Sequence, residues 1–469
     1  MKQVQIRLAE IIEALSKALD MTEGQPDGHC IRCCYIGTSI GREIGLSEPE
    51  LHDLYYTLLL KDLGCSSNAS RICELYLADD ISFKNDFKLV DGSLGQVLKF
   101  VISHTGAKAG LAERFRSLLN ILKKGGEIST DLIQTRCQRG ADIARQMRFS
   151  ENVAEGIIGL DEHWSGRGKP SGLAGEEIPL FSRIALLSQV IDVFQASSGP
   201  QAALDEIAKR KGDWFDPALV DVFVRIASQR EFWEELASPD LERIVLDSEP
   251  GQHGVLADDD YLDDIAAGFA KVIDAKSPYT SGHSERVALY TDLIAEEMDI
   301  DFETRRVLKR AALLHDIGKL GVSSTVLDKA GKLDDEEWSQ MKRHAEFSEQ
   351  ILSAIGAFAN AALIGGAHHE RLDGKGYPRG LSAEQIPMEV RIVSTADVFD
   401  ALTADRPYRQ AMPLQEAFSI LWEGAGRSHD PICISALERA LARTPLTTFA
   451  RQLALQENTS SSHEATKAA

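Results

Sequence analysis

A series of short motifs occurs twice in this chain of 469 residues, in the same order each time. The matched segments are residues 27–32 with 281–286, 59–64 with 313–318, and 166–170 with 374–378. The first two pairs are offset by 254 residues and the last pair by 208, so the first copy contains 46 additional residues between Asp62 and Gly166. Matched repeats in one order indicate that a single structural unit has been built twice.

Both copies are predicted to be helical. In most segments apolar residues recur at helical spacing, alternating β-branched runs are scarce, and Gly, Pro, Asn and Asp separate the segments. The predicted fold class is therefore all-α, with two tandem helical bundles. We expect residues 1–247 to form the first bundle and residues 258–450 to form the second. Residues 248–257 are predicted to be a linker, and residues 451–469 a polar, disordered tail.

The second copy contains a series of side chains of the kinds that bind metals. His315 and Asp316 directly follow the apolar run 311–314, which is typical of the buried end of a helix. Such a pair alone is weak evidence, because short motifs also occur by chance. The further candidates are His283, His344, His368, His369 and Asp397. Because imidazoles and carboxylates are ligands for divalent transition metals, the set predicts a metal site in the second copy.

The first copy lacks most of these side chains. Lys61 occupies the position of His315, and a cation there would repel a metal. The counterpart of His344 is Arg136 or Cys137, depending on where the alignment gap is placed. The candidate ligands that remain are His29 and Asp62. We therefore expect the first copy to serve in sensing, dimerisation or regulation, and not in chemistry.

Residues 276 to about 431 resemble the HD-GYP domain, a family of phosphodiesterases that hydrolyse cyclic di-GMP. The resemblance rests on the pair His315 and Asp316, the double histidine, the Gly-Tyr-Pro sequence at 376–378, and the order and spacing of these blocks. It covers about a third of the chain. It implies an HD-type fold in both copies, the first degenerate, and hydrolysis of cyclic di-GMP to linear pGpG, GMP or both.

The resemblance also implies a pair of metal ions. Asp316 is our candidate for the bridging carboxylate, because it is the central acid of the set and follows a ligand histidine directly. By analogy with the family, one metal is assigned His283, His315 and Asp397, and the other His344, His368 and His369. Some family members recruit a third metal through a Glu where this chain has Tyr279, so two metals per chain are predicted. The mixed imidazole and carboxylate set favours iron or manganese over zinc.

Basic side chains near the candidate ligands are expected to bind the substrate. By resemblance, Lys319 contacts the scissile phosphate or assists the leaving group. Arg406 and Arg409 are expected to hold the second phosphate, because the guanidinium group matches phosphate geometry.

The signature loop is predicted to be a tight turn. Gly376, Tyr377 and Pro378 have the composition of such a turn, which would present Tyr377 and Lys375 near the mouth of the active site. We assign Lys375 to substrate binding. The family implies a second use of this loop, as a contact for diguanylate cyclase proteins of the GGDEF type.

Composition limits the classes of partner. Lys and Arg total 51 against 72 Asp and Glu, and the resulting charge of −21 argues against an extended nucleic-acid or anionic-membrane surface. No apolar run reaches the ~18 residues of a membrane span, and the first 20 residues lack signal-peptide features. Seven cysteines, an odd number, indicate reduced thiols. We expect a cytoplasmic protein, and a homodimer is left open.

Two alternatives to a cyclic di-GMP phosphodiesterase are kept. The first is a non-catalytic cyclic-dinucleotide receptor, which the complete set of seven ligands disfavours because a scaffold has no chemical need for them. The second is an HD phosphohydrolase that acts on another nucleotide, which would not require the Gly-Tyr-Pro loop.

Overall fold

The structure, a computed structural model, describes residues 6–90, 94–106, 110–251, 256–405 and 409–443. These residues are predominantly helical, which confirms the all-α prediction. Within these ranges, no helix is both long and apolar enough to cross a bilayer. The predicted polar tail, 451–469, lies outside the described residues.

Thirteen described helices precede the predicted linker and nine follow it. The first group is α1 (Leu8–Thr22), α2 (His29–Glu43), α3 (Glu48–Leu60), α4 (Ala69–Tyr76), α5 (Asp80–Phe87), α6 (Leu94–His104), α7 (Leu111–Gln146), α8 (Glu151–Ile158), α9 (Leu180–Ser198), α10 (Pro200–Arg210), α11 (Pro217–Ala227), α12 (Arg230–Leu236) and α13 (Leu241–Asp247). The second group is α14 (Asp259–Asp274), α15 (His283–Glu297), α16 (Phe302–Leu314), α17 (Ser324–Leu327), α18 (Asp335–Ser353), α19 (Ala359–Ala367), α20 (Met388–Thr403), α21 (Leu414–Glu423) and α22 (Pro431–Arg443).

The chain divides into two compact units that do not follow the predicted domains. The first unit contains Met1–Glu285 and Leu313–Gly366, and the second contains Arg286–Ala312 and Ala367–Ala469. The predicted linker, 248–257, therefore lies within the first unit. The division into residues 1–247 and 258–450 follows the sequence repeat and not these compact units, and it stays a prediction.

Part of the predicted linker is anchored in the first unit. The carboxylate of Glu249 accepts a hydrogen bond of 2.8 Å from Arg7 and another of 2.7 Å from the hydroxyl of Tyr56. Strand β1 (Ile6–Arg7) also pairs antiparallel with strand β2 (Leu256–Ala257), which lies at the end of this segment. A carboxylate that is held by two partners is fixed in place, so Glu249 is anchored, whereas residues 252–255 of the predicted linker lie outside the described residues.

Helix α1 lies inside the first unit. It begins at Leu8, and apolar side chains such as Ile11, Ile12 and Leu15 are fully buried. Two acidic side chains of the same helix, Glu13 and Asp20, are buried as well. Helix α1 packs on α2 and also on α18, so more than one of its faces is covered.

Corresponding residues of the two copies make the same ion pair in the structure. In the first copy Arg32 donates to Asp192 with an Nε–Oδ1 distance of 2.6 Å. In the second copy Arg286 donates to Asp400 at the same distance. These residues correspond at offsets of 254 and 208, the two offsets found in the sequence. Ion pairs that are shared by the two copies belong to the scaffold of the fold.

A close backbone approach fixes the register of the two copies. A Cβ atom on Gly64 would overlap the carbonyl oxygen of Arg136, and a Cβ atom on Gly318 would overlap that of His344. The counterpart of His344 is therefore Arg136 and not Cys137. It follows that the 46 additional residues of the first copy lie between Gly64 and Arg136, where helices α4 to α6 and the start of α7 are found.

The extended segment, residues 65–135, has 71 residues where the second copy has 25 (residues 319–343); we call it the insertion, and it has its own apolar cluster. Ile72 of α4, Phe83 of α5 and Phe100 of α6 form the buried part of this cluster. The rings of Phe83 and Phe100 meet edge to face, with centroids 5.0 Å apart, a favourable aromatic geometry. Helices α4, α5 and α6 of the insertion thus pack against one another.

We predict that Gly64→Ala destabilises the protein by about 3 kcal/mol or more, because the new methyl group cannot avoid the backbone of α7. The control is Gly126→Ala, where nothing lies within 4 Å of the added atom and a helical alanine is favoured over glycine. Denaturant unfolding of both variants tests this. Equal stability of the two variants would contradict the register given above.

Candidate metal centre

Three histidines surround the carboxylate of Asp316 within the first unit. The Nε2 atoms of His283 and His315 lie 3.5 and 3.3 Å from its Oδ2 atom, and Nε2 of His344 lies 3.6 Å from Oδ1. The side chains of all four residues are almost fully buried. The structure therefore brings together four of the seven predicted ligands, with Asp316 at the centre, as the sequence suggested.

Different parts of the chain bring these side chains to Asp316. His315 and Asp316 follow the end of α16, His283 is the first residue of α15, and His344 lies in α18. The start of α15 is held by Asp274, whose carboxylate accepts the amide of Ser284 at 3.1 Å. The first copy has the same arrangement, since Asp20 accepts the amide of Cys30 at 3.0 Å. A carboxylate at a helix N-terminus stabilises the helix and fixes its start.

The turn after Asp316 is packed against α18. The amide of Gly318 donates to the hydroxyl of Ser348 at 3.0 Å, and the absence of a side chain at Gly318 allows the close approach to the backbone of His344. These contacts set the position of His344 relative to Asp316. Neither Gly318 nor Ser348 carries a ligand atom, but both position residues that do.

The hydrogen bonding of His344 fits a metal ligand. Its Nδ1 atom lies 2.6 Å from the carbonyl oxygen of Met341. A carbonyl oxygen can only accept, so Nδ1 carries the proton and donates it. In the neutral ring, Nε2 then presents its lone pair towards Asp316. A second hydrogen bond of this type is the usual way in which a protein orients a metal-binding histidine, and this set of residues fits a divalent metal.

The carboxyl of Asp316 is strongly biased towards its ionised form. Burial alone would raise its pKa, but the charges of His315 and Lys319 and hydrogen bonds from His283 and His315 bring this pKa well below its ordinary value. The ammonium of Lys319 forms an ion pair with Asp316. Lys319, predicted to act on the substrate, therefore lies beside the candidate bridging carboxylate.

The other three predicted ligands belong to the second unit. His368 and His369 follow α19, with ring centroids 4.0 Å apart, and His368 is buried. Asp397 lies in α20 and is also buried. Buried imidazoles and carboxylates are uncommon without a chemical reason. Their assignment to the same metal pair as Asp316 rests on the sequence and stays a prediction.

The signature loop folds back on the double histidine. The ring of Tyr377 lies 4.8 Å from that of His369, centroid to centroid, and the amide of Tyr377 donates to the carbonyl of His369 at 3.2 Å. A Cβ atom on Gly376 would overlap the backbone around Glu370. Gly376 and Tyr377 therefore support His369, a role that the sequence analysis did not assign to them.

Glu370 is a positioning residue that the sequence analysis missed. Its carboxylate is buried and accepts the backbone amides of Arg379, Gly380 and Leu381 at 2.7, 3.1 and 2.9 Å. In the first copy Glu162 accepts the amides of residues 171–173 in the same way. The repeat could have identified it, because Glu162 and Glu370 correspond at the offset of 208.

The predicted substrate contacts differ in how the structure places them. Lys375 is exposed, as a contact for a soluble ligand requires. The guanidinium of Arg409 instead donates to the carbonyls of Ala401 and Leu402, at 2.6 and 2.8 Å, near the end of α20. Cations are favoured at a helix C-terminus, so in this structure Arg409 supports α20. Arg406 lies outside the described residues.

In the first copy, an internal ammonium group lies where the second copy has His315. Lys61 is fully buried, forms an ion pair with Asp62, and lies 3.1 Å from Nε2 of His29. The other nitrogen of His29 lies 2.6 Å from Asp192. Burial and the charge of Lys61 lower the pKa of His29 to about 4, so the ring is neutral at pH 7 and accepts a hydrogen bond from Lys61.

Among the described residues of the first copy there are two groups of potential metal donors, and cations contact both of them. One group is His29, Cys33 and Asp192, and the other is Glu23, Asp62 and Cys65. Lys61 contacts His29 and Asp62, and Lys88 lies 2.9 Å from Glu23. Arg136, the counterpart of His344, is paired with Asp161. We therefore still expect no catalytic metal in the first copy.

The chain matches known proteins over most of its length. The family model described as an HD domain matches residues 98–219 and 269–432, and so has matches in both copies. The chain is 54% identical over 438 residues to the 3′3′-cGAMP-specific phosphodiesterase 3 of Vibrio cholerae. This match covers 93% of this chain and 95% of that protein.

Two further matches, one of them to a solved structure, support this relationship. A crystal structure of a cyclic GMP-AMP-specific phosphodiesterase of V. cholerae matches with a TM-score of 0.65 and 49% identity, over 94% of this chain and 99% of that chain. The cyclic di-GMP phosphodiesterase response regulator RpfG of Xanthomonas campestris is 43% identical over 37% of this chain and 47% of its own length. The chain therefore belongs to the HD-GYP family of HD-domain phosphodiesterases.

We predict that Asp316→Asn loses bound metal, because the amide removes the negative charge on which the three histidines converge. The matched control is Asp62→Asn, the same change at the equivalent position of the first copy. It should keep the metal but lose about 3–5 kcal/mol of stability, because Lys61 becomes a buried unpaired charge. Elemental analysis and denaturant unfolding of both variants test this. Full metal content in a folded Asp316→Asn variant would contradict the assignment.

Proposed function

We propose that this protein is a metal-dependent phosphodiesterase that hydrolyses a cyclic dinucleotide. The observation that carries the proposal is the convergence of three buried histidines on Asp316, beside the ammonium of Lys319. A neutral imidazole and carboxylate set of this kind suits a hydrolytic metal site. Membership of the HD-GYP family supports the same reaction class.

The substrate that we propose first is 3′3′-cGAMP. The relative from V. cholerae that is 54% identical over most of both chains carries that specificity in its name. The sequence alone predicted cyclic di-GMP, which is the substrate named for the relative from X. campestris, but that protein matches only 37% of this chain. Cyclic di-GMP is therefore kept as the second substrate to test.

The proposed reaction adds water across one phosphodiester bond. The attacking oxygen forms a bond to phosphorus, the bond from phosphorus to the ribose oxygen breaks, and a proton reaches the leaving oxygen to give a linear dinucleotide with a terminal phosphate. A bound metal pair would supply a nucleophile at neutral pH and neutralise charge on the phosphate. We propose iron or manganese, two ions per chain, as the sequence predicted.

The residues of the chain supply binding, orientation and charge. Asp316 and its three histidines would hold the metals, and His368, His369 and Asp397 are proposed to complete the set. Lys319, which forms an ion pair with Asp316, is proposed to contribute positive charge to the reacting phosphate, since such fixed charge stabilises the transition state of phosphoryl transfer. Lys375 and Arg406 are proposed to contact the substrate. For Arg409 we propose support of α20 in place of phosphate binding.

The remaining proposals concern the first copy and possible partners. We propose that the first copy regulates the second, since Lys61 and Arg136 replace two metal ligands there. A GGDEF-type cyclase partner, which would contact the signature loop, and a homodimer are proposals from the sequence. A receptor without catalysis is the alternative function, and measured turnover excludes it.

We predict that Lys319→Met lowers kcat about 100-fold, because one fixed charge near the reacting phosphate is lost, while the metal content stays the same. Lys329→Met is the control, since Lys329 pairs with Glu337 and not with Asp316. The assay measures the hydrolysis of 3′3′-cGAMP and of cyclic di-GMP by anaerobically purified, metal-loaded protein. Absence of turnover of both by the unmodified protein would overturn the proposed function, and unchanged kcat in Lys319→Met would overturn the role of Lys319.

A further inference from the structure

The insertion of the first copy places a carboxylate against the segment that carries Lys319. Asp80, the first residue of α5, has a fully buried side chain. One of its oxygens accepts a hydrogen bond of 3.0 Å from the ammonium of Lys276, and the other accepts the amide of Ser324 at 2.8 Å. All of these residues lie in the first unit. Asp80 thus joins two segments of the second copy.

Both of these segments lead directly to residues of the candidate metal centre. Lys276 lies seven residues before His283, and its ammonium also donates to the carbonyl of Leu320, next to Lys319, at 3.3 Å. The hydroxyl of Ser324 donates a hydrogen bond of 3.3 Å to the carbonyl oxygen of Lys276. A single buried carboxylate therefore fixes the segment before His283 relative to the turn that carries Lys319.

The buried ammonium of Lys276 requires the negative charge of Asp80. The side chain of Lys276 is as buried as that of Asp80, and an ammonium without a partner would be costly there. Burial alone would raise the pKa of the Asp80 carboxyl, but the charges of Lys276 and Lys84 and the amide of Ser324 lower it below its ordinary value. Burial lowers the pKa of Lys276, and the charge of Asp80 opposes this shift. Because both side chains are buried and lie 3.0 Å apart, the pair is an interior contact and not a solvated surface pair.

Asp80 lies in the interval that is longer in the first copy than in the second. Asp80 belongs to the insertion, which lies between Gly64 and Arg136, whereas the corresponding interval of the second copy runs only from Gly318 to His344. We infer that Asp80 is a positioning residue for the proposed phosphodiesterase: through Lys276 and Ser324 it holds the turn that carries Lys319 in its productive position. The insertion is then the part of the first copy that acts on catalysis.

This inference rests on the proposed function, and its test therefore includes one measurement that does not need activity. In Asp80→Asn the amide keeps the shape and can still accept from Ser324, but Lys276 loses its counter-charge. We expect kcat to fall roughly 10- to 100-fold, as for a small displacement of a catalytic group. KM and metal content should stay within about threefold of the unmodified protein, because no ligand is removed.

The activity-independent measurement is hydrogen exchange of residues 317–324 in the full-length protein. Exchange should become about tenfold faster or more in Asp80→Asn, because the contacts that hold the segment are weakened. The matched control is Asp131→Asn, in the same insertion, where an exposed carboxylate lies 3.6 Å from Arg71. Such surface pairs contribute little, so kcat and exchange should not change in the control.

The outcomes separate the two proposals. If the unmodified protein has no turnover, the proposed function fails, and the exchange measurement alone decides whether Asp80 holds the segment. If the unmodified protein has turnover, a folded Asp80→Asn variant with unchanged kcat and exchange overturns the role of Asp80. A proportional loss of metal and kcat would also overturn it, because the effect would then be on the metal site itself.

A double variant covers the case in which Asp80→Asn does not fold. Asp80→Asn combined with Lys276→Met removes both charges of the buried pair. We expect it to fold and to keep reduced kcat and fast exchange in residues 317–324, because the connection is still missing. A double variant with the kcat and exchange of the unmodified protein would overturn the inference.

Discussion

Both copies of the fold bury an aspartate at the same position, and a buried carboxylate requires a positive counter-charge. Asp62 and Asp316 are each about 1% exposed. In the first copy Lys61 and its neighbours supply the charge from within the chain. In the second copy three histidines present ring nitrogens to the carboxylate, an arrangement that suits divalent metals. One scaffold therefore gives an internal ion pair in one copy and a candidate metal centre in the other.

The sequence repeat predicted the scaffold well, because residues that are shared by both copies have structural roles. Arg32 and Arg286, and likewise Glu162 and Glu370, correspond by offset and make equivalent contacts. The glutamates were visible in the repeat but were overlooked. Two candidate ligands, His315 and His344, replace Lys61 and Arg136 of the first copy, and in the structure they converge with His283 on Asp316.

Other features were not accessible from the sequence. The pairing of Asp80 with Lys276 joins residues 196 positions apart, and no local pattern marks such a pair. Arg409 was read as a phosphate ligand, but a basic residue just after a helix can equally bind the terminal carbonyls, as it does here. The compact units also differ from the repeat boundaries, because compactness depends on packing between distant segments. The contact between Asp80 and Lys276 is the one through which we propose that the first copy positions Lys319.

The central claim is that the second copy binds metal where the first copy carries its own cations. The most direct measurement is an anomalous difference map from crystals of the full-length protein grown without chelators, recorded at the absorption edges of iron and manganese. The account predicts two peaks per chain in contact with the ligand set of Asp316, and no peak beside Asp62. A peak beside Asp62, or an empty Asp316 site in protein that turns over a cyclic dinucleotide, would contradict it.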